Sequence, residues 1–410
     1  MHVAQRLDVL ADSPTLAIDA RAKSMAQLGR KVISLALGEP DFPTPPHIIE
    51  AAERAMQRGE TRYTPTAGTP QLRRAIAEKI VQDNRIPIGP AQVVVTSGAK
   101  HALYNVFQAL LEPGDEVLVP LPCWVSYPPH VELAGGRMVG VPTQAERGFR
   151  VEAEALRQRL TPQSRVILLN SPNNPTGACL QRADIEAIAA LAVEKDLIIV
   201  SDEVYEDLVY EGEPPLSPAS LGPEVARRTV TVSGVSKSYA MTGWRIGWLS
   251  AMDQGLVDAV IRLQSHSTSN PCSVAQAAAL AALTGPRDFQ QGWRFEFDRR
   301  RRALVAGLSA LPGFSCPMPC GAFYAFPSIQ ELLGPGRIAA DDTGMAMLLL
   351  EEAELATVPG SAFASPGHLR FSYALSFEQL TEALHRLRRF LAARGLAANG
   401  NGAEGLAELA

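Results

Sequence analysis

The chain has 410 residues, with 38 lysines and arginines against 43 aspartates and glutamates and a formal net charge of −5. Hydrophobic residues make up 46 %, enough for a large core, and the length exceeds one typical core, which predicts two domains. The acidic balance argues against a nucleic-acid surface, which is strongly basic, although local lysines and arginines can still gather anionic substrates.

The N-terminal stretch MHVAQRLDVLADSPTLAIDARAK carries charges throughout and lacks the apolar centre of a signal peptide. The longest apolar runs, such as 345–350, are too short to span a bilayer. The chain therefore reads as soluble and cytoplasmic, with no membrane or nucleic-acid partner. Residues 14–30 are predicted helical, with Ser13 as N-cap and Pro14 at the first position. GEPDFPTPP (38–46) is a Gly/Pro loop.

From residue 46, helical segments alternate with apolar runs at 92–97, 115–120, 137–142, 165–170, 197–203, 228–233 and 245–250. Near-continuous apolar strands separated by helices predict a mainly parallel sheet covered on both faces, hence an α/β fold. After Pro271 the pattern becomes a helix over 272–284 and a long arginine-rich helix over 287–310. Short β-runs follow at 321–328, 354–360 and 368–374, then a last helix over 376–394, together a smaller α+β domain. The run Arg299–Arg302 is expected on a solvated helix face. The expected division is an arm and part of the small domain at 1–45, a large domain at 46–285, a small domain at 286–395 and a flexible Gly/Ala-rich tail at 396–410.

Five cysteines, Cys123, Cys179, Cys272, Cys316 and Cys320, are odd in number, widely spaced and without a CxxC pair. No disulfide framework and no zinc or other metal site is expected, and a reducing compartment fits. Cys316 and Cys320, flanking two prolines, read as part of a structural loop.

Open α/β sheets bind ligands outside the carboxyl ends of their strands, and the polar punctuation of this chain gathers there. SGVSKSYAMTGWRIGW (233–248) puts Lys237 just after a β-rich run and Arg245 eight residues later. A lysine amine forms a Schiff base with an aldehyde, and an arginine fork holds a phosphate. Pyridoxal phosphate carries both groups. A solvated loop lysine is the plain alternative, and it loses weight because other strand ends supply further parts.

Ser97, Gly98 and Ala99 lie where a strand turns into a helix, whose free N–H groups suit a phosphate; an ordinary turn is the alternative. SPNNPTG places Asn173 and Asn174 in a rigid turn, where an amide donates to a phenolate or carboxylate oxygen or simply shapes the turn. Asp202 ends an apolar strand, and a carboxylate there needs a partner. A pyridinium nitrogen is one, which would keep the ring an electron sink; a helix N-cap is the alternative. Tyr205, three residues on, could reach the hydroxyl of the same ring. Trp124 offers a flat face for stacking or simply fills the core. Arg370, between Leu369 and Phe371, would hold a substrate α-carboxylate or an internal salt bridge.

SPNNPTG, SDEVYE and SKSYAMTGWRIGW, in this order and spacing, resemble the class I/II aminotransferases of pyridoxal-phosphate fold type I. GEPDF, YTPTAGTPQLRRAIA (63–77) and GHLRFSYA extend the likeness over about residues 6–394, closest to the bacterial aspartate subgroup that includes prephenate aminotransferases. The resemblance implies a large domain built on a mainly parallel seven-stranded sheet, a smaller α+β domain and a homodimer with shared sites.

It also implies roles. Lys237 would bind the cofactor covalently and then act as the base at the substrate Cα, with its pKa lowered to about 7–8 by desolvation and cationic neighbours. Asp202 would pair with the ring nitrogen, Tyr205 and Asn174 with the ring oxygen, and Trp124 would stack. Ser97, Gly98, Ala99 and Arg245 would hold the phosphate, joined by Tyr63 from the other subunit. Gly38, Asn174 and Arg370 would bind the α-carboxylate. Lys100 and Thr15 match positions that read a distal carboxylate; because a buried unpaired charge costs about 3–5 kcal/mol, a lysine there favours a dicarboxylic substrate. A solvated helix-start lysine is the alternative. One departure is Gly234, where some relatives carry a serine three residues before the lysine.

The implied activity is ping-pong transfer of the amino group of an L-amino acid, aspartate or another dicarboxylic one, to a 2-oxo acid such as 2-oxoglutarate, with the small domain closing over the substrate. The alternatives are a β-lyase, cyclase or synthase on the same scaffold, an aminotransferase for neutral or aromatic amino acids, or a non-catalytic cofactor-binding regulator.

Overall fold

The computed structural model describes residues 2–8, 10, 14–213 and 216–396, with the backbone alone at 14–16 and 19. The expected N-cap Ser13 and the expected tail beyond residue 396 lie outside the described residues. In chain order come α1 (Pro14–Gln27), β1 (Ile33–Ser34), α2 (Pro46–Gln57), α3 (Pro70–Asp83), β2 (Val93–Thr96), α4 (Ala99–Leu110), β3 (Glu116–Leu121), α5 (Tyr127–Leu133), β4 (Arg137–Pro142), α6 (Ala153–Arg157), β5 (Ser164–Asn170), α7 (Arg182–Glu194) and β6 (Ile198–Asp202). Then follow α8 (Pro223–Arg227), β7 (Thr229–Gly234), β8 (Gly247–Ala251), α9 (Gln254–Ser265), α10 (Ser273–Thr284), α11 (Phe289–Ser309), β9 (Tyr324–Ala325), α12 (Asp342–Ala353), β10 (Leu355–Ala356), β11 (Val358–Pro359), β12 (Leu369–Ser372) and α13 (Phe377–Ala392).

The main sheet has seven strands in the order β2-β8-β7-β6-β5-β3-β4. β8 runs antiparallel to both of its neighbours; the other pairings are parallel. Each of the seven apolar runs becomes a strand; in the inner strands and β2 both faces are covered and most side chains are buried, whereas the edge strand β4 buries only Val141. Alternation divides them. Val117, Val119, Val166, Leu168, Val200 and Val230 face the cluster under α4 and α9, whereas Leu118, Ile167, Leu169 and Ile199 face the cluster under α7. Each such buried side chain stabilises the fold by roughly 1.5–3 kcal/mol.

The strand ends are level with one another. Asn170 pairs with Asp202, Asp202 with Val232, and Gly234 with Gly247. A Cβ on Gly234 would lie 3.0 Å from both the Gly247 Cα and the Ile246 carbonyl, so a serine at this position would press on the backbone of the paired antiparallel strand.

A second region contains the three-stranded sheet β11-β12-β9 and the short pair β1-β10. β1 joins the chain's beginning to its C-terminal third, and one apolar core holds Leu35, Phe323, Leu349 and Leu387 together.

The arginine run departs from expectation. Arg300 and Arg301 on α11 are 5 % and 0 % exposed rather than solvated. Arg300 pairs with Asp41 and Glu296 at 2.8 Å, and Arg301 pairs with Glu211 and Asp298. Composition shows only that four charges are adjacent; a helix turns consecutive residues by about 100°, so half of the run faces inward, where carboxylates from distant segments meet it.

Candidate active site

β6 ends at Asp202, and burial pushes its carboxyl up to about 6. Two donors restrain that shift: Tyr127 Oη donates to Oδ2 at 2.7 Å, and the Val204 N–H donates to Oδ1 at 3.3 Å. Tyr127 was not singled out from sequence. It lies three residues after Trp124, and the signal available was that a buried tyrosine needs a partner for its hydroxyl. The Trp124 ring, just before α5, meets Tyr127 edge-on at 5.3 Å, so Trp124 packs on the tyrosine that holds Asp202.

Lys237 follows β7. Burial holds its amine down at about 8; Arg370 and Arg245 lower it further, while Glu39 and Asp202 oppose them. Nζ donates to the Gly38 carbonyl and lies 5.7 Å from the Tyr205 ring centroid and 5.6 Å from that of Phe323. The lysine is therefore part-buried beside Asp202, not a solvated loop residue.

Tyr205 Oη shares a hydrogen bond of 2.8 Å with Tyr324 Oη from β9. Tyr324 was also missed, since the run GAFYAFPS reads only as a β-run. Its hydroxyl lies 3.1 Å from where a Cβ on Gly38 would stand, so Gly38 keeps the backbone close to it. Asn174 is fixed from below: its N–H donates to Asn170 Oδ1 at 2.9 Å, and Asn170 Nδ2 donates to the Asp202 carbonyl at 3.0 Å.

Arg370 on β12 is buried, and its partners are neutral. Nη1 donates to Asn174 Oδ1 at 2.9 Å and Nη2 to the Ala36 carbonyl at 2.7 Å, while Nε has no partner. Among the described residues it forms no salt bridge, which removes the alternative weighed for it. A buried guanidinium held by neutral oxygens, with one donor unanswered, is built to receive an anion.

Gly98 opens α4 at φ +89°, and a Cβ there would lie 2.3 Å from Arg245 Nη2. Across the sheet, a Cβ on Gly247 would lie 2.3 Å from the Ala99 nitrogen. Ser97, Gly98, Ala99 and Arg245 thus meet at one turn: the Ser97 N–H donates to His101 Nδ1 at 3.2 Å and the Gly98 N–H to the Thr96 carbonyl at 2.8 Å, which leaves the Ala99 N–H and the guanidinium as the donors at the helix start, with Arg245 Nη2 at 3.5 Å from the Ser97 carbonyl. Arg245 itself is left-handed at φ +56°, a strained conformation for a non-glycine residue that delivers its side chain to the turn. Lys100 is exposed, as the solvated-lysine alternative expects, yet places Nζ 4.9 Å above the Trp124 ring and forms no ion pair among the described residues; partial desolvation and then Arg245 lower its pKa. Tyr63 is 90 % exposed and joins none of these contacts. The Thr15 side chain lies outside the described residues.

The set fits pyridoxal phosphate. It offers a near-neutral amine for the aldehyde, a buried carboxylate for the ring nitrogen, hydroxyls and an amide for the ring oxygen, and a cradle at a helix N-terminus for the phosphate.

Comparison with known proteins agrees. Residues 30–387 match the family described as aminotransferase class I and II. The chain is 45 % identical over 397 residues to an aspartate aminotransferase of Bacillus subtilis, covering 95 % of this chain and 99 % of that one. It is equally 45 % identical to an aspartate/prephenate aminotransferase of Thermus thermophilus, over 95 % and 98 % of the two chains. The solved structure of Thermus thermophilus aspartate aminotransferase with maleate superposes with a TM-score of 0.90 at 44 % identity, covering 95 % of this chain and 100 % of the other. The chain belongs to the class I and II aminotransferases. It is a pyridoxal-phosphate-dependent transaminase with the α/β fold that its sequence predicts.

Proposed function

We propose that this aminotransferase takes the amino group of aspartate, or of another dicarboxylic amino acid, and passes it to a 2-oxo acid such as 2-oxoglutarate, working as a homodimer in the cytoplasm. The observation that carries the reading is a pair of cations, Arg370 and Lys100, neither of which meets a carboxylate among the described residues. A substrate with two carboxylates answers both. Support comes from the names of the relatives, aspartate and aspartate/prephenate aminotransferases.

The cofactor, when bound, supplies an aldehyde that condenses with amines and a ring that draws electrons from the substrate Cα. The chain's residues do the rest. Lys237 is the covalent anchor; once free, its Nζ, with a pKa lowered to about 8, is neutral in a far larger fraction than an ordinary lysine and would carry the proton from the substrate Cα to the carbon that was the cofactor's aldehyde. Asp202 holds the ring-nitrogen proton in place, and Tyr127 keeps that carboxylate charged. Tyr205, with Tyr324 behind it, and Asn174 donate to the ring oxygen. Trp124 flanks the ring, and Ser97, Gly98, Ala99 and Arg245 grip the phosphate. Tyr63, exposed on its own subunit, reaches the phosphate in the partner's site. Arg370, Asn174 and the Gly38 backbone orient the α-carboxylate; Lys100, together with Thr15, reads the distal one. We read 1–45 with 286–395 as the unit that closes over 46–285 and excludes water.

The test is a half-reaction. The purified enzyme in its lysine-bound cofactor form is mixed with single amino acids, and loss of its visible absorbance is followed. Fast conversion by aspartate and glutamate, slowed selectively in Lys100→Gln, is the expected result. Equal or faster conversion by neutral or aromatic amino acids, unaffected by that substitution, sinks the dicarboxylate reading.

A further inference from the structure

Two thiols meet behind the site. Cys179 follows the SPNNPTG turn after β5, and Cys320 precedes β9, 141 residues later. The Cys179 N–H donates to Cys320 Sγ at 3.0 Å, and both sulfurs share the Gly177 carbonyl, at 3.9 Å from Cys179 and 3.5 Å from Cys320. The two backbones are locked together: the N–H groups of Cys320 and Gly321 both donate to the Gly177 carbonyl, at 3.0 and 2.9 Å. A Cβ on Gly177 would lie 2.4 Å from Pro319 Cβ. Arg301, buried beneath, donates to the Pro319 carbonyl and puts a positive charge beside the sulfurs. Both cysteines are part-exposed, whereas Cys123 is buried.

We propose that Cys179 and Cys320 are a redox pair that closes to a reversible disulfide under hydrogen peroxide, stapling the Asn174 turn to the Tyr324 segment and slowing turnover. Cys320 attacks first, since the Cys179 thiol, the Cys179 N–H and Arg301 all favour its thiolate. Its sulfur attacks one peroxide oxygen, the O–O bond breaks, and the departing hydroxide takes a proton to leave as water. Cys179 then loses its proton and attacks the resulting sulfenic sulfur, and the hydroxyl leaves as a second water. Two thiols and one peroxide thus give one disulfide and two waters; a dithiol reverses the change. Asn174 lies five residues before one sulfur and Tyr324 four residues after the other, so the bridge fixes the spacing of two segments that contact the substrate pocket. The bond stands apart from the functional reading; its effect on turnover rests on that reading.

The experiment uses holoenzyme carrying Cys272→Ser, which removes the exposed thiol and leaves four of the five cysteines. After stoichiometric hydrogen peroxide, denatured thiols should fall from four to two, and peptide mass analysis should find Cys179 joined to Cys320. Turnover should drop by on the order of tenfold and return with dithiothreitol. Adding Cys320→Ser or Cys179→Ser should leave the reduced enzyme fully active and make it insensitive to peroxide. Four thiols surviving, or a bridge between other cysteines, overturns the proposal. A Cys179–Cys320 bridge with turnover unchanged overturns the regulatory half. If the reduced enzyme transfers no amino group at all, the functional reading fails while the thiol count still decides the bond.

Discussion

Two buried arginines, Arg301 on α11 and Arg370 on β12, solve the same problem in opposite ways. Arg301, with no exposed surface, is answered by Glu211 and Asp298 as well as by the Pro319 carbonyl. Both leave Nε without a partner, but Arg370 is answered only by an amide oxygen and a backbone carbonyl and meets no carboxylate among the described residues. A buried cation that the chain itself neutralises holds the fold together; one it leaves unneutralised waits for an anion from outside. The same contrast separates the two regions. α11 is laced with carboxylate pairs, whereas the strand-end site carries Lys237, Lys100, Arg245 and Arg370 against the buried Asp202 and the outlying Glu39.

The hardest blow to the site half of this contrast is Lys237→Ala. Turnover should fall on the order of 10⁴-fold, while far-UV circular dichroism and the melting temperature stay at or above the parent's, because a desolvated amine is removed. Substantial residual transfer would move the proton step to another group. Next comes Arg370→Leu. Truncating one side of a buried charge contact costs about 2–5 kcal/mol, so kcat/KM should fall by roughly 30- to 4,000-fold through KM, with little change in stability. If Arg370→Leu unfolded the protein and left KM alone, Arg370 would belong with Arg301.

A third measurement uses pH. Capture of pyridoxal phosphate by the cofactor-free protein requires neutral Lys237. Its pKa is lowered to about 8, so protonation silences the amine below that value and releases it above. Capture should therefore rise on the order of 50-fold from about pH 6 to pH 8 and then flatten. An ordinary lysine would keep climbing beyond pH 10, and such a profile would contradict the burial described here.

The sequence made the large sheet legible because strands buried on both faces read as unbroken apolar runs, and all seven appear within a residue or two of their expected bounds. Lys237, Asp202, Asn174, Arg245 and Arg370 were legible as polar residues punctuating strands. Tyr127 and Tyr324 were not, because what distinguishes them is the partner of a hydroxyl, and those partners lie 75 and 119 residues away. Arg300 and Arg301 were misread for the same reason: charge is local information, but its neutralisation by Asp41 or Glu211 is tertiary. The meeting of Cys179 and Cys320 likewise leaves no trace in their spacing.

Tyr127→Phe sharpens the boundary between holding and acting. It removes one donor from Asp202, whose carboxyl should rise above about 6 and spend more time protonated. A hydrogen bond to a charged group is worth about 1.5–3 kcal/mol, and part of that returns when the ring nitrogen pairs with Asp202, so a loss near tenfold in kcat is expected with KM unmoved. An unchanged rate would reduce Tyr127 to core packing.

Arg301→Ala is the matching probe of the other region and should have the smallest effect on catalysis. It removes a guanidinium and its buried stem, but Glu211 and Asp298 retain solvent and Arg302. The cost to stability should therefore be about 2 kcal/mol, below the ~3–5 of a fully enclosed pair. KM and kcat for the amino donor should match the parent's in the reduced enzyme. Should KM rise as it does in Arg370→Leu, the division between an internally neutralised cation and one reserved for substrate would fail, since removing the first would have disturbed the second through the Pro319–Tyr324 segment that lies between them.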